Sequence, residues 1–307
     1  MKTLLIFVFI IKLISGNSTT TESKIPTRPT SIVIWHGMGD TCCFSFSLGS
    51  FKKYLEHTIP GVYVNSLRIG NSTIEDLENG YFMNANHQVE YACKLLAEDP
   101  QLQNGFNAIG FSQGSQFLRA VVQRCGHILP PIKNVISLGG QHQGIYGLPH
   151  CGVLLHASCD YVRQLLNYAA YDNWVQYALV QATYWHDPLD EETYQYKSIF
   201  LSNINNELLV NKTYIENLNN LEHLVLVKFD NDTVVQPKET EWFGFYEPGQ
   251  GKKTIPLQET KLYTEDRLGL KKMEKDGKLV FISADGDHLR FSDKWFETNI
   301  LKPYLLN

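Results

Sequence analysis

The chain has 307 residues, 43% of them hydrophobic, and a net charge of −5 at pH 7. That length permits one large domain or two of ordinary size, and the apolar share supplies a sizeable core. The charges alternate over short stretches without basic runs, which excludes nucleic acid as a partner.

Residues 1–16 begin with Lys2, run through Leu4-Leu-Ile-Phe-Val-Phe-Ile-Ile11 and end on Ser15-Gly16. A charged start, an apolar centre and a small-residue exit predict a secretory signal peptide. The apolar run stops at Lys12, short of the ~20 residues a membrane span needs, and no later segment is long and apolar enough to span. Residues 17–30, rich in Ser, Thr, Lys and Pro, read as a flexible lead-in. Sequons at Asn17, Asn71, Asn211 and Asn231 fit secretion; Asn17 falls at the new terminus, leaving Asn71, Asn211 and Asn231 as glycosylation candidates. Six cysteines in an oxidising compartment predict disulfides, and the lack of any Cys-x-x-Cys argues against zinc.

Ser31-Ile-Val-Ile-Trp35 is a continuous apolar run, as expected of a strand buried on both faces. His36-Gly-Met-Gly-Asp40 follows it, and such a His-Gly segment supplies an oxyanion donor in serine hydrolases. A helix is predicted over 46–57, a strand over 62–67 and one long amphipathic helix over 81–96. The strand over 106–109 leads into Gly110-Phe-Ser-Gln-Gly114 and a helix over 116–125. Gly-x-Ser-x-Gly between strand and helix is the nucleophile-elbow pattern. It places Ser112 at the carboxyl edge of the sheet, with the Gln113 amide at the positive end of the helix. Another strand over 134–138 closes on Gly139-Gly140. Strands alternating with helices predict an α/β fold with a mostly parallel, doubly wound sheet.

From 141 to about 221 no comparable strand occurs; aromatic, helix-like pieces cover 159–170, 173–181 and 214–221. This predicts a helical cap inserted between core segments 31–140 and 222–307, over the edge where α/β enzymes bind ligands. Strands over 224–229 and 278–282 complete the sheet, and Ser292 or Asp293 caps a closing helix with Trp295, Phe296, Ile300 and Leu301 inward.

A serine nucleophile needs a base and a group to orient that base, and in α/β-hydrolases the order is serine, acid, histidine. Of ten histidines, His288 alone lies beyond the Asp230/Asp232 loop. Asp232 is preferred as the acid, since it opens the Val-Val-x-Pro segment that turns the chain back. No cofactor or metal is called for. An imidazole of ordinary pKa, about 6.5, is mostly protonated near pH 5, which predicts faster turnover near neutrality.

His36-Gly-Met-Gly-Asp40 with Cys42-Cys43, Gly110-Phe-Ser-Gln-Gly114 with Gln116-Phe-Leu-Arg-Ala-Val121, and Gly139-Gly-Gln-His-Gln-Gly144 resemble the lysosomal palmitoyl-protein thioesterases of the α/β-hydrolase superfamily. Tyr184-Trp-His-Asp-Pro188, Glu241-Trp-Phe-Gly-Phe-Tyr246, Tyr263-Thr-Glu-Asp-Arg-Leu-Gly-Leu270 and Gly286-Asp-His-Leu289 extend the match over nearly the whole mature chain. Ser115 departs from the glycine usual there, and the Asn71 sequon is not a family feature. The resemblance implies Ser112, Asp232 and His288 as the triad and the Met38 and Gln113 amides as the oxyanion hole. It implies disulfides Cys42–Cys43, Cys93–Cys125 and Cys151–Cys159, and a cap after the sixth strand. It further implies hydrolysis of long-chain acyl thioesters on S-palmitoylated proteins or peptides, and a lysosomal location reached by the secretory pathway, with a glycan-recognising sorting receptor as partner. Leu179, Trp185, Val234 and Val235 are candidate lining of the acyl groove. The alternatives are an acyl-CoA thioesterase or lipase with the same triad, or a non-catalytic binding protein.

Overall fold

The computed structural model describes residues 28–147, 166 and 168–306. Pleat parity explains why its sheet is buried on both sides. In β1 (Ser31–Trp35), Ile32 and Ile34 join one hydrophobic cluster while Val33 and Trp35 join the other. The same division holds for Ala108 against Ile109 in β3 (Phe106–Phe111), Val135 against Ile136 in β4 (Ile132–Leu138), and Leu224 against Val225 in β5 (His223–Phe229). β2 (Val64–Ser66) is an edge strand. A small antiparallel pair, β6 (Phe245–Tyr246) with β7 (Thr254–Ile255), precedes the last strand, β8 (Leu279–Ala284). The six sheet strands are all parallel, in the order β2-β1-β3-β4-β5-β8.

Helices cover both faces. α1 (Leu48–Thr58) places Leu48 and Leu55 on the Ile32 side, together with Phe296, Ile300, Leu301 and Leu305 of the closing helix. Ser292 caps that closing helix, accepting from the Trp295 N–H; Trp295 itself is half-buried. The Val33 side is covered by α3 (Ala85–Glu98) and α4 (Gln113–Cys125), through Val89, Ala92 and Leu96 and through Phe117, Leu118, Val121 and Val122. Each such apolar side chain contributes about 1.5–3 kcal/mol on full burial.

The single helix expected over 81–96 is instead two. α2 (Thr73–Phe82) ends where Met83 turns extended, and Asn84 restarts the chain as N-cap of α3, accepting from the Asn86 N–H at 2.9 Å. Gln88 donates to the carbonyls of Asn79 and Met83 at 2.8 and 2.7 Å, satisfying the open end of α2.

The segment expected as a cap carries short helices at Asn173–Ala178, Glu191–Lys197, Leu201–Ile204 and Lys212–Asn219 and a 3₁₀ turn at Val180–Tyr184. Among the described residues it follows the fourth sheet strand rather than the sixth. Among the described residues no strand precedes β1, so four sheet strands rather than six stand ahead of the insertion. Val175, Tyr184, Trp185, Tyr194, Phe200 and Leu201 merge with the cluster under α3 and α4, so the insertion shares the main core. Arg119 of α4, fully buried, fastens this junction: it donates to the carbonyls of Ile204 and His142 at 3.1 Å each and to Asn205 Oδ1 at 2.8 Å.

Disulfides join Cys42 to Cys43 and Cys93 of α3 to Cys125 of α4. The signal peptide, most of the lead-in, Asn17, the Cys151–Cys159 pair and most of the helix expected over 159–170 lie outside the described residues. No described helix is long and apolar enough to cross a membrane.

Candidate active site

The elbow takes its shape from two glycines. A methyl group on Gly110 would lie 2.3 Å from Ser115 Cα, and one on Gly114 would lie 2.4 Å from the His36 carbonyl oxygen. Only hydrogen fits at either position, so α4 packs directly on β1 and β3. Between them Ser112 is held at φ 51°, a conformation that favours glycine. Its amide donates to the Leu138 carbonyl at 2.7 Å, fixing the turn to the end of β4. The hydroxyl accepts from Gln141 Nε2 at 2.9 Å, and Gln141 Oε1 accepts from Gln116 at 3.3 Å.

The loop after β1 lies against this serine: a methyl on Gly37 would sit 3.0 Å from Ser112 Cβ. Met38 follows Gly37, and Gln113 is the first residue of α4, where amides have no intrahelical acceptor. The Gln113 side chain is spent on scaffolding, donating to the Gly80 carbonyl at 3.0 Å and accepting from Tyr184 at 3.0 Å. His36 anchors the loop from below. Its Nδ1 faces the Gly37 carbonyl at 2.8 Å and its Nε2 faces Asp76 at 3.1 Å, and both rings atoms therefore act as donors. Burial alone would lower the pKa of His36, but the hydrogen bond and charge of Asp76 and the Gly37 carbonyl raise it. Burial would likewise raise Asp76, yet His36 and the amides of Cys42 and Ile69 hold it low.

Asp232 and His288 meet across the ends of β5 and β8. His288 Nδ1 lies 2.5 Å from Asp232 Oδ2, while Asp232 Oδ1 accepts from the amides of Val234 and Val235 at 2.7 and 2.8 Å. The Asp232 side chain is fully buried and the His288 ring nearly so. Burial would raise the Asp232 carboxyl, but hydrogen bonds from His288 and Glu241 outweigh it and keep the group below the usual carboxylate range. The imidazole rests over Gly139, where a methyl would meet His288 Cε1 at 2.9 Å. Since Leu138 holds Ser112 and Gly139 touches His288, the imidazole and the hydroxyl border the same end of β4. The resting hydroxyl is hydrogen-bonded to Gln141, and none of the described hydrogen bonds joins it to His288.

Two residues of this site escape sequence reasoning. Gln141 belongs to the Gly139–Gly144 stretch and Glu241 to the Glu241–Tyr246 stretch, both conspicuous as text but silent about whom they touch. Asp232, Glu241 and His288 have donor atoms within 4.8 Å of one another, a spacing a metal would also need. Here Nδ1 and Oδ2 are already engaged with each other, so the carboxylate fixes the orientation of the His288 ring.

Leu179, Trp185 and Val235 are buried in the main cluster, and Val234 is half-buried. A cavity of about 480 Å³ beside the His288 loop is lined by Asp285, Arg290, Phe291 and Trp295, and another of about 470 Å³ by His186, Glu191, Phe245 and Thr260; neither is lined by those four residues. Asn71, Asn211 and Asn231 are all exposed.

A parallel α/β sheet with a serine elbow at the carboxyl end of its third strand, and an acid and a histidine beyond the two strands at its far edge, defines an α/β-hydrolase. The palmitoyl protein thioesterase family model matches residues 31–288. The chain is 50% identical over 288 residues to palmitoyl-protein thioesterase 1 of Caenorhabditis elegans, covering 94% of this chain and 96% of that one. It is 36% identical to palmitoyl-protein thioesterase 3 of Dictyostelium discoideum, with 92% and 93% covered. It is also 27% identical to the lysosomal thioesterase PPT2 of Homo sapiens, with 81% and 78% covered. The chain belongs to the palmitoyl protein thioesterase family and is a thioester-hydrolysing enzyme of that family.

Proposed function

We propose that this thioesterase removes palmitate and similar long acyl chains from S-acylated cysteines of proteins and peptides, with Ser112 as nucleophile, His288 as base and Asp232 as the group orienting that base. The observation that carries this reading is the 2.5 Å Asp232–His288 pair bordering the strained serine. Gln141 occupies a lone pair of the Ser112 oxygen, which leaves the hydroxyl proton free to be given to His288. The oxygen attacks the thioester carbonyl carbon as His288 takes the proton, and the Met38 and Gln113 amides receive the resulting oxyanion. Collapse breaks the carbon–sulfur bond. With a pKa of about 8.5 the thiol leaves with little acid assistance, accepting the proton from His288. Water, deprotonated by His288, then attacks the acyl-serine carbonyl, and His288 returns that proton to Ser112 Oγ as the ester bond breaks and the fatty acid leaves.

Leu179, Trp185, Val234 and Val235 are proposed to border the acyl chain. At about 0.8 kcal/mol per buried methylene, a sixteen-carbon tail dominates substrate affinity. Residues 31–140 and 222–307 serve as the hydrolase core and 141–221 as its cap. A lysosomal location, reached through the secretory pathway with sugars on Asn71, Asn211 and Asn231 read by a sorting receptor, fits the leader and the sequons. The Cys151–Cys159 disulfide completes this reading.

Initial rates on a palmitoylated peptide, palmitoyl-CoA and a triglyceride test the substrate class. The peptide is expected to give the highest kcat/KM. Preference for palmitoyl-CoA or the triglyceride would replace the proposal with the acyl-CoA thioesterase or lipase reading.

A further inference from the structure

Glu241 lies on the 3₁₀ turn Lys238–Trp242, packed under the end of β5, and is fully buried. Its Oε2 accepts the Phe229 N–H at 2.8 Å. The other oxygen, Oε1, has no described hydrogen-bond partner, while a carboxylate oxygen of Glu241 lies within 4.8 Å of the nearest ligand atoms of Asp232 and His288. Two ionised carboxylates cannot satisfy one another in a buried site, because each is only an acceptor. One proton placed between them resolves both the orphaned oxygen and the repulsion. Asp232 is the member that stays charged: Oδ1 takes two amides and Oδ2 takes His288.

We propose that Glu241 is a positioning residue of the triad, a neutral carboxylic acid whose O–H is donated to Asp232 and which thereby keeps His288 free to act as base in acidic surroundings. The inference rests on the triad assignment given above. A hydrogen bond from Glu241 withdraws charge from Asp232, so Asp232 holds the imidazolium less strongly. Burial first, and then the hydrogen bond to Asp232 and its charge, raise the Glu241 carboxyl far above the usual carboxylate range, in agreement with that geometry.

The other charges around the cluster are accounted for. Lys228 of β5, whose charge acts to lower the Glu241 carboxyl against the larger effect of burial, has its Nζ 3.7 Å from Asp230 and 4.2 Å from the Trp242 ring centre. Lys238 donates to the Asp230 carbonyl, and Asp287 Oδ1 accepts from Thr233 and from the His288 amide. On the far side His142 stacks on Phe243 at 4.5 Å and Arg119 lies 5.2 Å from the same ring. Each is engaged elsewhere, which leaves Asp232 as the carboxylate facing Glu241.

The expectation of fastest turnover near neutrality takes an imidazole of ordinary pKa and leaves the Glu241 donor out of account. The test compares kcat/KM against pH on a palmitoylated peptide for the wild type, E241Q and E241L. Glutamine preserves a neutral donor, so the E241Q acid limb is expected to stay at the wild-type position. Leucine removes the donor, and its limb is expected to move up by roughly one pH unit, a loss of about tenfold at the acid end. An E241Q limb displaced to lower pH means that Glu241 is ionised, and an unmoved E241L limb means that it does not act on His288; either overturns the proposal. Should E241L fail to fold, infrared spectroscopy decides: a protonated carboxyl C=O band at pH 7 that vanishes in E241Q is expected, and its absence in the wild type refutes the idea. S112A run alongside separates the two readings, since residual turnover there sinks the triad assignment rather than the role of Glu241.

Discussion

Ser112 carries a side chain in backbone territory that normally belongs to glycine, at a cost of order 1–3 kcal/mol. That cost predicts a trade between stability and activity. S112G is expected to unfold at higher denaturant than S112A, by about 1 kcal/mol, because only alanine retains the strained Cβ. Equal midpoints in urea would show the elbow to be unstrained. The buried pair His36–Asp76 sets a second expectation, with its own pH window. His36, raised on folding, contributes fully below its unfolded value of about 6.5 and loses that contribution as pH climbs through its folded value. Asp76, lowered on folding, contributes above about 3.9 and loses it as pH falls through its folded value. D76N is therefore expected to cost about 3–5 kcal/mol near pH 5, with the gap narrowing at alkaline pH. Glu241 has the opposite sense to an ordinary carboxylate. A raised carboxyl stabilises the fold below about 4.3 and costs about 1.4 kcal/mol per pH unit above it. Wild type should thus lose roughly 2.5 kcal/mol relative to E241Q between pH 5 and pH 7, measurable as a difference in urea midpoints.

At the scale of elements, what the sequence makes legible is what repetition carries. β1, β3, β4 and β5 are runs buried on both sides, so their apolar character persists residue after residue. The elbow is legible for a related reason, since Gly110 and Gly114 are required by backbone contacts that a short motif encodes. The break between α2 and α3 is hidden because the apolar periodicity continues across it, while the decisive act is a single side-chain hydrogen bond from the Asn86 amide to Asn84. N84A is expected to cost about 1 kcal/mol, read from the shift of the denaturation midpoint. Gln141 and Glu241 are hidden more thoroughly. Their partners Ser112 and Asp232 are distant or follow another element, and no periodicity or local propensity announces a tertiary hydrogen bond.

Across the whole molecule, the insertion is bound into the hydrolase core more closely than the word cap implies. Phe200 meets Phe117 of α4 edge to face at 5.4 Å, and Arg119 is shared between α4 and the carbonyl of Ile204. F200A is accordingly expected to lower global stability by about 3–5 kcal/mol in one cooperative transition; a separate early transition, with the main midpoint unmoved, would mark an independent cap. The account as a whole turns on one covalent event, the transfer of an acyl group from sulfur to Ser112. Rapid acid quench of the enzyme with a palmitoyl thioester, followed by mass mapping, reads it directly. A palmitoyl adduct on the peptide bearing Ser112, absent in S112A, is the predicted result; an adduct on another residue, or undiminished hydrolysis by S112A, would contradict it.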